Sequence, residues 1–437
     1  MSFDVRRLIL WVALVGVGLA ATPPAYAQEE ADEPAASAQE EADEPAIGLP
    51  TDAETQGRTR PVSAPSATPT AETPAVDLFI LYTFDIWHNA RGGLGRGWRY
   101  LDNLDVTLTV DAERAIGWRD ATLFVYGLYN NGQGLSGELL GDAQGASNIE
   151  TGVRALRLYE AWVEQRLGRA SIKLGLYDLN SEFDEHQTGS LFLNSTHGLG
   201  PDLAQSGLNG PSVFPVTSLA LRVDYQIDER WRVRAAVLDA VPGDPGRPRR
   251  TAIRLRDAEG ALLIGEAQYQ TRNTRAILGY WRYTAGFDPV FAAPASRTQR
   301  GNDGLYMMVE QRLSRIGADG ERGLAGWLRL GFASDRFNPI DQTLSGGLAY
   351  TGPVAARPGD QVGIAFGRAR FGAPYRSAME LAATPSTRSE FNIEASYRAV
   401  LTPWLSIQPD FQYIINPGGN PDLQDAVVFG LRTQVGF

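Results

Sequence analysis

A chain of 437 residues, 43% hydrophobic and 21% charged, with a formal net charge of −11 and no cysteine, is long enough for one large domain but has no covalent cross-link to hold it. No basic stripe of the kind nucleic acid demands is read along the chain. After Ala21 no stretch approaches the roughly eighteen consecutive apolar residues of a membrane-spanning helix.

Residues 2–26 open on Arg6 and Arg7, run apolar from Leu8 to Ala21 and close on Ala25-Tyr26-Ala27. A charged start, a core too short to span and a small-x-small end define a secretory signal peptide, with cleavage expected after Ala27. An exported chain without cysteine must be held by packing or by one large hydrogen-bonded sheet.

Residues 28–77 are rich in Ala, Pro, Glu and Thr, and Glu29-Glu30-Ala31-Asp32-Glu33-Pro34-Ala35 recurs as residues 40–46. Too little apolar surface is present to offset the entropy of ordering, so this segment is expected to be disordered. It carries twelve acids against Arg58 and Arg60, so the body from 78 to 437 is left at −2. The acidic balance is therefore a property of the segment, read as a solvated periplasmic spacer or a binding arm for a basic partner.

From Leu78 onward no run at helical period exceeds about two turns, but alternation at period two is pervasive. Leu104, Val106, Leu108 and Val110 oppose Asn103, Asp105, Thr107 and Thr109. Leu219, Leu221, Val223 and Tyr225 oppose Ser218, Ala220, Arg222 and Asp224, and Leu324, Leu328 and Leu330 flank Trp327, Arg329 and Gly331. The last stretch places Val427, Phe429, Leu431, Thr433, Val435 and Phe437 on one parity, with small and polar residues on the other. Ten or so residues suffice for a tilted strand to cross a bilayer, and in lipid the sheet must close. About sixteen strands are expected, beginning near residues 78, 101, 120, 153, 170, 216, 230, 261, 274, 304, 323, 341, 361, 388, 404 and 426. The fold class is all-β, a closed antiparallel transmembrane barrel.

Turns such as 227–230 and 400–403 are expected at the periplasm, and the longer loops 130–152, 180–215, 240–258 and 285–303 outside or folded into the lumen. Aromatic girdles are assigned to Tyr82, Trp87, Trp98, Trp118, Tyr126, Tyr269, Tyr280, Tyr397, Trp404 and Tyr413. A soluble sandwich or propeller would need an outer parity rich in Lys and Glu, yet lysine is almost absent, Lys173 standing out.

Parity places Glu160, Trp162, Glu164 and Arg166 on one inner stripe. It also turns Arg222, Asp224, Arg232, Arg234, Trp327, Arg329, Glu394, Arg398, Asp410 and Arg432 inward. Acids and guanidiniums among aromatics can bond hydroxyls and stack on a sugar ring, or simply solvate and brace the lumen. A strongly anion-selective pore needs an excess of inward cations, which a nearly neutral body lacks.

Residues Leu174-Gly175-Leu176-Tyr177-Asp178-Leu179-Asn180-Ser181-Glu182-Phe183, then Leu191-Phe192-Leu193-Asn194-Ser195, resemble the carbohydrate-selective outer-membrane porins of the OprB type. So do Leu158-Tyr159-Glu160-Ala161-Trp162 and the block from Leu401 to Gly419, with its Gln408-Pro409-Asp410 and Asn416-Pro417-Gly418-Gly419. The resemblance spans roughly 78–437 and implies a 16-stranded barrel, sugar diffusion without energy coupling and a constriction lined by arginines, acids and aromatics. It also implies pore-lining roles for Glu160, Trp162, Asp178 and Glu182. The acidic segment is not part of that pattern.

His88, His186 and His197 are the only histidines; Asp184-Glu185-His186 and Ser195-Thr196-His197 fall in one long loop. Neither a zinc spacing nor a nucleophile elbow is present, so no enzyme activity, metal or cofactor is expected. Gly92 to Gly97 read as a mobile link between strands rather than a phosphate cradle. The expected function is passive diffusion of mono- and disaccharides and polyols across a Gram-negative outer membrane. The alternatives are a general or weakly ion-selective porin, and a structural barrel with a filled lumen and a wall-binding acidic tail. Expected partners are sugars, outer-membrane lipid and lipopolysaccharide, and the barrel-assembly machinery acting on the strand that ends in Phe437. A homotrimer is left open.

Overall fold

The computed structural model describes residues 74–256, 258–291, 298–316, 322–384 and 386–437. The signal peptide and nearly all of the acidic segment lie outside them. Among the described residues sixteen strands follow one another: β1 Val76–Arg91, β2 Gly97–Asp111, β3 Ala121–Asn130, β4 Ala155–Leu167, β5 Ala170–Tyr177, β6 Ser218–Gln226, β7 Trp231–Asp239 and β8 Ala261–Gln270. Next come β9 Thr274–Tyr283, β10 Asp303–Arg312, β11 Gly323–Ala333, β12 Ile340–Thr351, β13 Gln361–Phe371, β14 Ser389–Thr402, β15 Leu405–Ile415 and β16 Ala426–Gly436.

Each strand pairs antiparallel with the next, and β16 pairs with β1 to close the barrel. At the seam the Phe437 amide donates to the Ile80 carbonyl at 2.8 Å, and the Ile80 amide donates to Phe437 at 3.1 Å. Closure leaves no edge strand facing hydrocarbon, the condition a sheet must meet to span a bilayer. Among the described residues no helix is long and apolar enough to cross one. The strands begin within four residues of the positions the alternation predicts.

Both ends of the barrel chain and the tight turns lie at one end, the long connections at the other, an asymmetry that marks periplasmic and extracellular mouths. Outward residues such as Val125, Leu278, Val309, Leu328, Ile364 and Phe429 are exposed, whereas Thr83, Asp85, Asn103, Glu266, Glu310, Gln408 and Arg432 on the other parity are buried within the lumen.

Several expectations change. Trp87 and Tyr126 are buried and point inward, Trp87 donating to Asp85 at 3.1 Å and Tyr126 to Asp105 at 2.6 Å, so neither belongs to a girdle. Trp98 and Trp404 are exposed, as a girdle requires. Between Tyr126 and Gly127 the β3–β4 register shifts, so Arg157, Tyr159 and Glu160 are all buried while Leu156 and Leu158 are exposed. A bulge inserts one residue, and parity read through it fails on one side. Arg166, expected inside, is exposed beside the β4–β5 turn. The Gly92–Gly97 link is tied down: the Gly93 amide donates to Gln424 and the Leu94 amide to Leu139, both at 2.9 Å. A Cβ at Gly93 would stand 2.6 Å from the Leu139 carbonyl oxygen, so only glycine lets the chains approach there. Helix α1 (Ala112–Ile116) fills the β2–β3 turn, and a nine-residue helix, Ala373–Leu381, crosses from β13 to β14, slightly longer than expected.

Candidate functional site: the narrowing inside the barrel

Strand β5 is only eight residues long, and after Tyr177 the chain turns into the lumen instead of rising along the wall. Residues 178–217 have no helical or strand period, only single turns at Leu179–Ser181, Gly189–Leu191 and Ser195–His197 and one short helix, Pro201–Ala204. Some of their peptide groups bond within these turns, and others find partners on the wall.

Wall glutamates supply them. Glu266 on β8 accepts the Asp184 amide at 3.0 Å, and Glu310 on β10 accepts the Thr188 amide at 2.7 Å. Glu394 on β14 accepts the amides of Leu193 at 2.5 Å and Asn194 at 3.1 Å. Gln408 on β15 donates to the Leu191 carbonyl at 2.6 Å. Each such bond is worth about 0.5–1.5 kcal/mol net, and more where the carboxylate is ionised. The connection between β3 and β4 is held likewise, Glu390 accepting the Ala143 amide at 2.8 Å and Ser147 donating to Asp85 at 2.9 Å. Two amides join the inward loops, Ser195 to Gly145 and Asn148 to Leu193, each at 2.8 Å.

Ion pairs fix the inner segment at two places. At the near end Glu182 takes Lys173 at 2.7 Å, Arg222 at 2.7 Å and the Tyr177 hydroxyl at 2.6 Å. Arg234 donates to the Glu182 carbonyl at 2.6 Å and to Asp224 at 2.8 Å, and Arg222 also pairs with Glu164 at 2.9 Å. Burial pushes the Glu182 carboxyl up, but Lys173, Arg234 and Arg222 outweigh it and hold the group well below the usual carboxylate range. Lys173 also lies 4.1 Å from the centre of the Trp162 ring. Glu160 accepts the Asp178 amide at 3.1 Å and the Trp162 ring N–H at 3.2 Å, and Tyr159 donates to Asp178.

Across the lumen Arg329 on β11 holds Asp184 at 2.6 Å and Asp202 at 2.7 Å, with all three side chains at 0% exposure, and Thr343 donates to Asp202. Trp327 packs against Phe192, ring centres 5.2 Å apart, and edge-on to His197 at 5.7 Å.

Of the residues the sequence points to, Glu160, Trp162, Glu164, Asp178, Glu182, Arg222 and Arg234 thus form one cluster, and Trp327, Arg329 and Glu394 face the segment from other strands. Arg232 sits toward the short-turn mouth, bonded to Gln226 at 2.8 Å. Arg398 donates to Gln361 at 2.5 Å, and Asp410 accepts from Gln412 at 3.1 Å; of the residues expected to line the pore or face inward, only Arg432 lines the cavity described next. Reading the strands missed Glu266, Arg275 and Glu310, which inward parity would have found. It also missed Asp184 and Asp202, which no periodicity marks.

The segment leaves one sector open. A cavity of about 270 Å³ lies between it and β1, β2, β15 and β16. Amides line it (Asn103, Asn148, Asn180, Gln408 and Gln434), with the rings of Phe192, Phe214, His186 and His197. Its charged groups already have partners. Arg432 is paired with Asp85 at 2.7 Å, Asp105 takes the Tyr126 hydroxyl, and Glu185 is paired with Arg275 at 2.9 Å. Burial holds both imidazoles neutral: His197 is pushed down to about 3, and His186 well below its ordinary value, with Arg329 adding to the effect. Neither ring nitrogen of His186 has a hydrogen-bond partner among the described residues. A neutral imidazole offers one donor and one acceptor, which a hydroxyl can match.

Burial lifts Glu185 to about 7 against the pull of Arg275, with Glu310 and Glu266 adding to the rise. Between pH 6 and 8 this carboxyl should therefore gain a negative charge at the cavity. The cation preference of the salt current should rise over that interval, as reversal potentials in a KCl gradient would report, and Glu185→Gln should abolish the step. For stability the sign is opposite to that of Glu182: a raised carboxyl pKa contributes most in acid and is lost as pH rises through about 7.

A family model described as "Carbohydrate-selective porin, OprB family" matches residues 95–437. Porin B of Pseudomonas aeruginosa is 26% identical over 380 residues, 78% of this chain and 82% of that protein. A putative porin, QuiX, of Acinetobacter baylyi is 22% identical over 361 residues, 75% and 81% of the two chains. Among solved structures, the high-pH structure of Pseudomonas putida OprB superposes with a TM-score of 0.74 at 23% identity, covering 83% of this chain and 94% of that one.

Proposed function

This chain belongs to the carbohydrate-selective porin family of the OprB type, and on that premise we propose that it passes mono- and disaccharides and small polyols by passive diffusion through the narrowing between the 178–217 segment and the wall. Family and fold make it a porin of the Gram-negative outer membrane, a channel rather than an enzyme.

The observation that carries the finer reading is the state of the cavity's charges. On its lining Arg432 and Glu185 are ion-paired and Asp105 takes the Tyr126 hydroxyl, so a solute meets chiefly amides, imidazoles and aromatic faces. Uncharged polyols bond to such groups without leaving a buried ion unpaired. A volume of about 270 Å³ is near the lower limit of ordinary ligand pockets, which suits one or two sugar rings rather than a longer chain.

Liposome swelling tests this. Vesicles containing the pure protein should swell in a hexose or disaccharide and far more slowly in a tetrasaccharide, and millimolar hexose should reduce the salt current. A salt current indifferent to sugar, with swelling that follows size alone, would establish a general porin. No swelling at all would make the inner segment a plug.

A further inference from the structure

We propose that the β7–β8 connection is a docking site for the phosphorylated headgroup of the glycolipid in the outer leaflet. The early inward turn of the chain after Tyr177 leaves the upper half of β4 without a strand neighbour on one side, since β4–β5 pairing ends at Ala161 opposite Leu176. The β7–β8 connection covers that gap. The Thr251 hydroxyl donates to the Leu158 carbonyl at 2.8 Å, and Arg157 donates to the Pro248 carbonyl at 2.8 Å. The connection is thereby fastened to the barrel wall at its extracellular rim, level with the ends of the strands, instead of rising into solvent.

Five arginines fall within its residues 247–256. Arg254 is paired with Asp244, and Arg256 with Glu259 at 3.0 Å. Arg247, Arg249 and Arg250 are exposed, and none of them pairs with a carboxylate among the described residues. Two successive turns, Arg247 amide to Asp244 carbonyl at 2.8 Å and Arg250 amide to Arg247 carbonyl at 3.1 Å, bring these guanidiniums onto one short coil. Beside it stand apolar side chains with unusual exposure, Leu156 at 74% and Ile253 at 54%. Exposed guanidiniums on a connection that also exposes Ile253 and is fastened next to exposed Leu156 match a molecule with phosphate at one end and acyl chains at the other. Guanidinium binds phosphate through two parallel hydrogen bonds, and cations at a charged lipid surface act together.

The test uses the intact barrel in nanodiscs doped with bis-phosphorylated lipid A or with the same lipid enzymatically dephosphorylated, lipid retention being read by native mass spectrometry. The phosphorylated form should be retained about tenfold more strongly or better. Arg247→Gln, Arg249→Gln and Arg250→Gln combined should erase that preference while leaving the sugar swelling rate unchanged, because none of the three lines the lumen. Arg249→Gln alone, a single exposed change, should weaken it. Equal retention of the two lipids by the parent protein, or a preference that survives in the triple variant, would overturn the proposal. So would displacement of the lipid by millimolar inorganic phosphate together with retention unaffected by acyl chains, which would assign the coil to soluble anions.

Discussion

Replacing Arg329 with methionine should release the Asp184 and Asp202 side chains from β11, leave the segment held by its amide bonds to Glu266, Glu310 and Glu394, and loosen the narrowing enough to speed trisaccharide entry. Asp184 and Asp202 are both wholly buried and both pair with this one guanidinium, Asp202 also taking the Thr343 hydroxyl. Removing one partner of a buried pair costs about 3–5 kcal/mol, and here two carboxylates are stranded at once. A cost of that size lowers the occupancy of the held state by more than two decades. Burial already lifts Asp184 to about 6 with Arg329 in place, so removal of the cation would be met by protonation or by escape toward water. The barrel itself rests on sixteen strand pairings that do not involve the segment, so heat-modifiable migration should persist. Swelling in trisaccharide should rise about tenfold relative to hexose, and proteolysis should cut within 184–202. An unchanged size dependence in a folded variant would show that this anchor does not set the aperture.

Glu182→Gln should shift the ion preference instead. One carboxylate there balances Lys173, Arg222 and part of Arg234, and Glu164 and Asp224 are the only other acids bonded to these cations among the described residues. Neutralising it leaves the cluster one positive charge in excess, beside an aqueous path where fields act over several ångströms. The chloride-to-potassium permeability ratio should rise by about threefold or more, and sugar swelling should change less than in the Arg329 variant. The same pairing predicts acid sensitivity. Glu182 is held below its ordinary value, so its contribution is present above about pH 4.5 and lost only as pH falls through the lower, folded value. Reversal potentials that match the parent's would mean that the neighbouring ion pairs rearrange to absorb the loss.

The barrel was legible because hydrocarbon on one side and water on the other impose a period of two, and a period survives in sequence. β8 to β16 start within one residue of their expected positions. β2 starts earlier than expected, at Gly97, because the glycine run before it masks Trp98 and Tyr100, which face outward. Aromatics carry little facing information, which is why Trp87 and Tyr126 were misplaced: an indole or phenol is at home in a lipid girdle and equally under a lumenal carboxylate. The path of 178–217 was illegible for a deeper reason. Nothing periodic governs it, and its anchors lie up to roughly two hundred residues away, as from Leu193 to Glu394.

Glu266, Glu310 and Glu394 grip the inner segment by its peptide amides. Amides are common to every residue but proline. Side chains such as His186 and Phe192, which look into the cavity, are thus decoupled from the attachment. Solute preference in such a channel can drift by substitution at the lining while the aperture keeps its frame, a separation that suits a scaffold meant to be retuned to new nutrients.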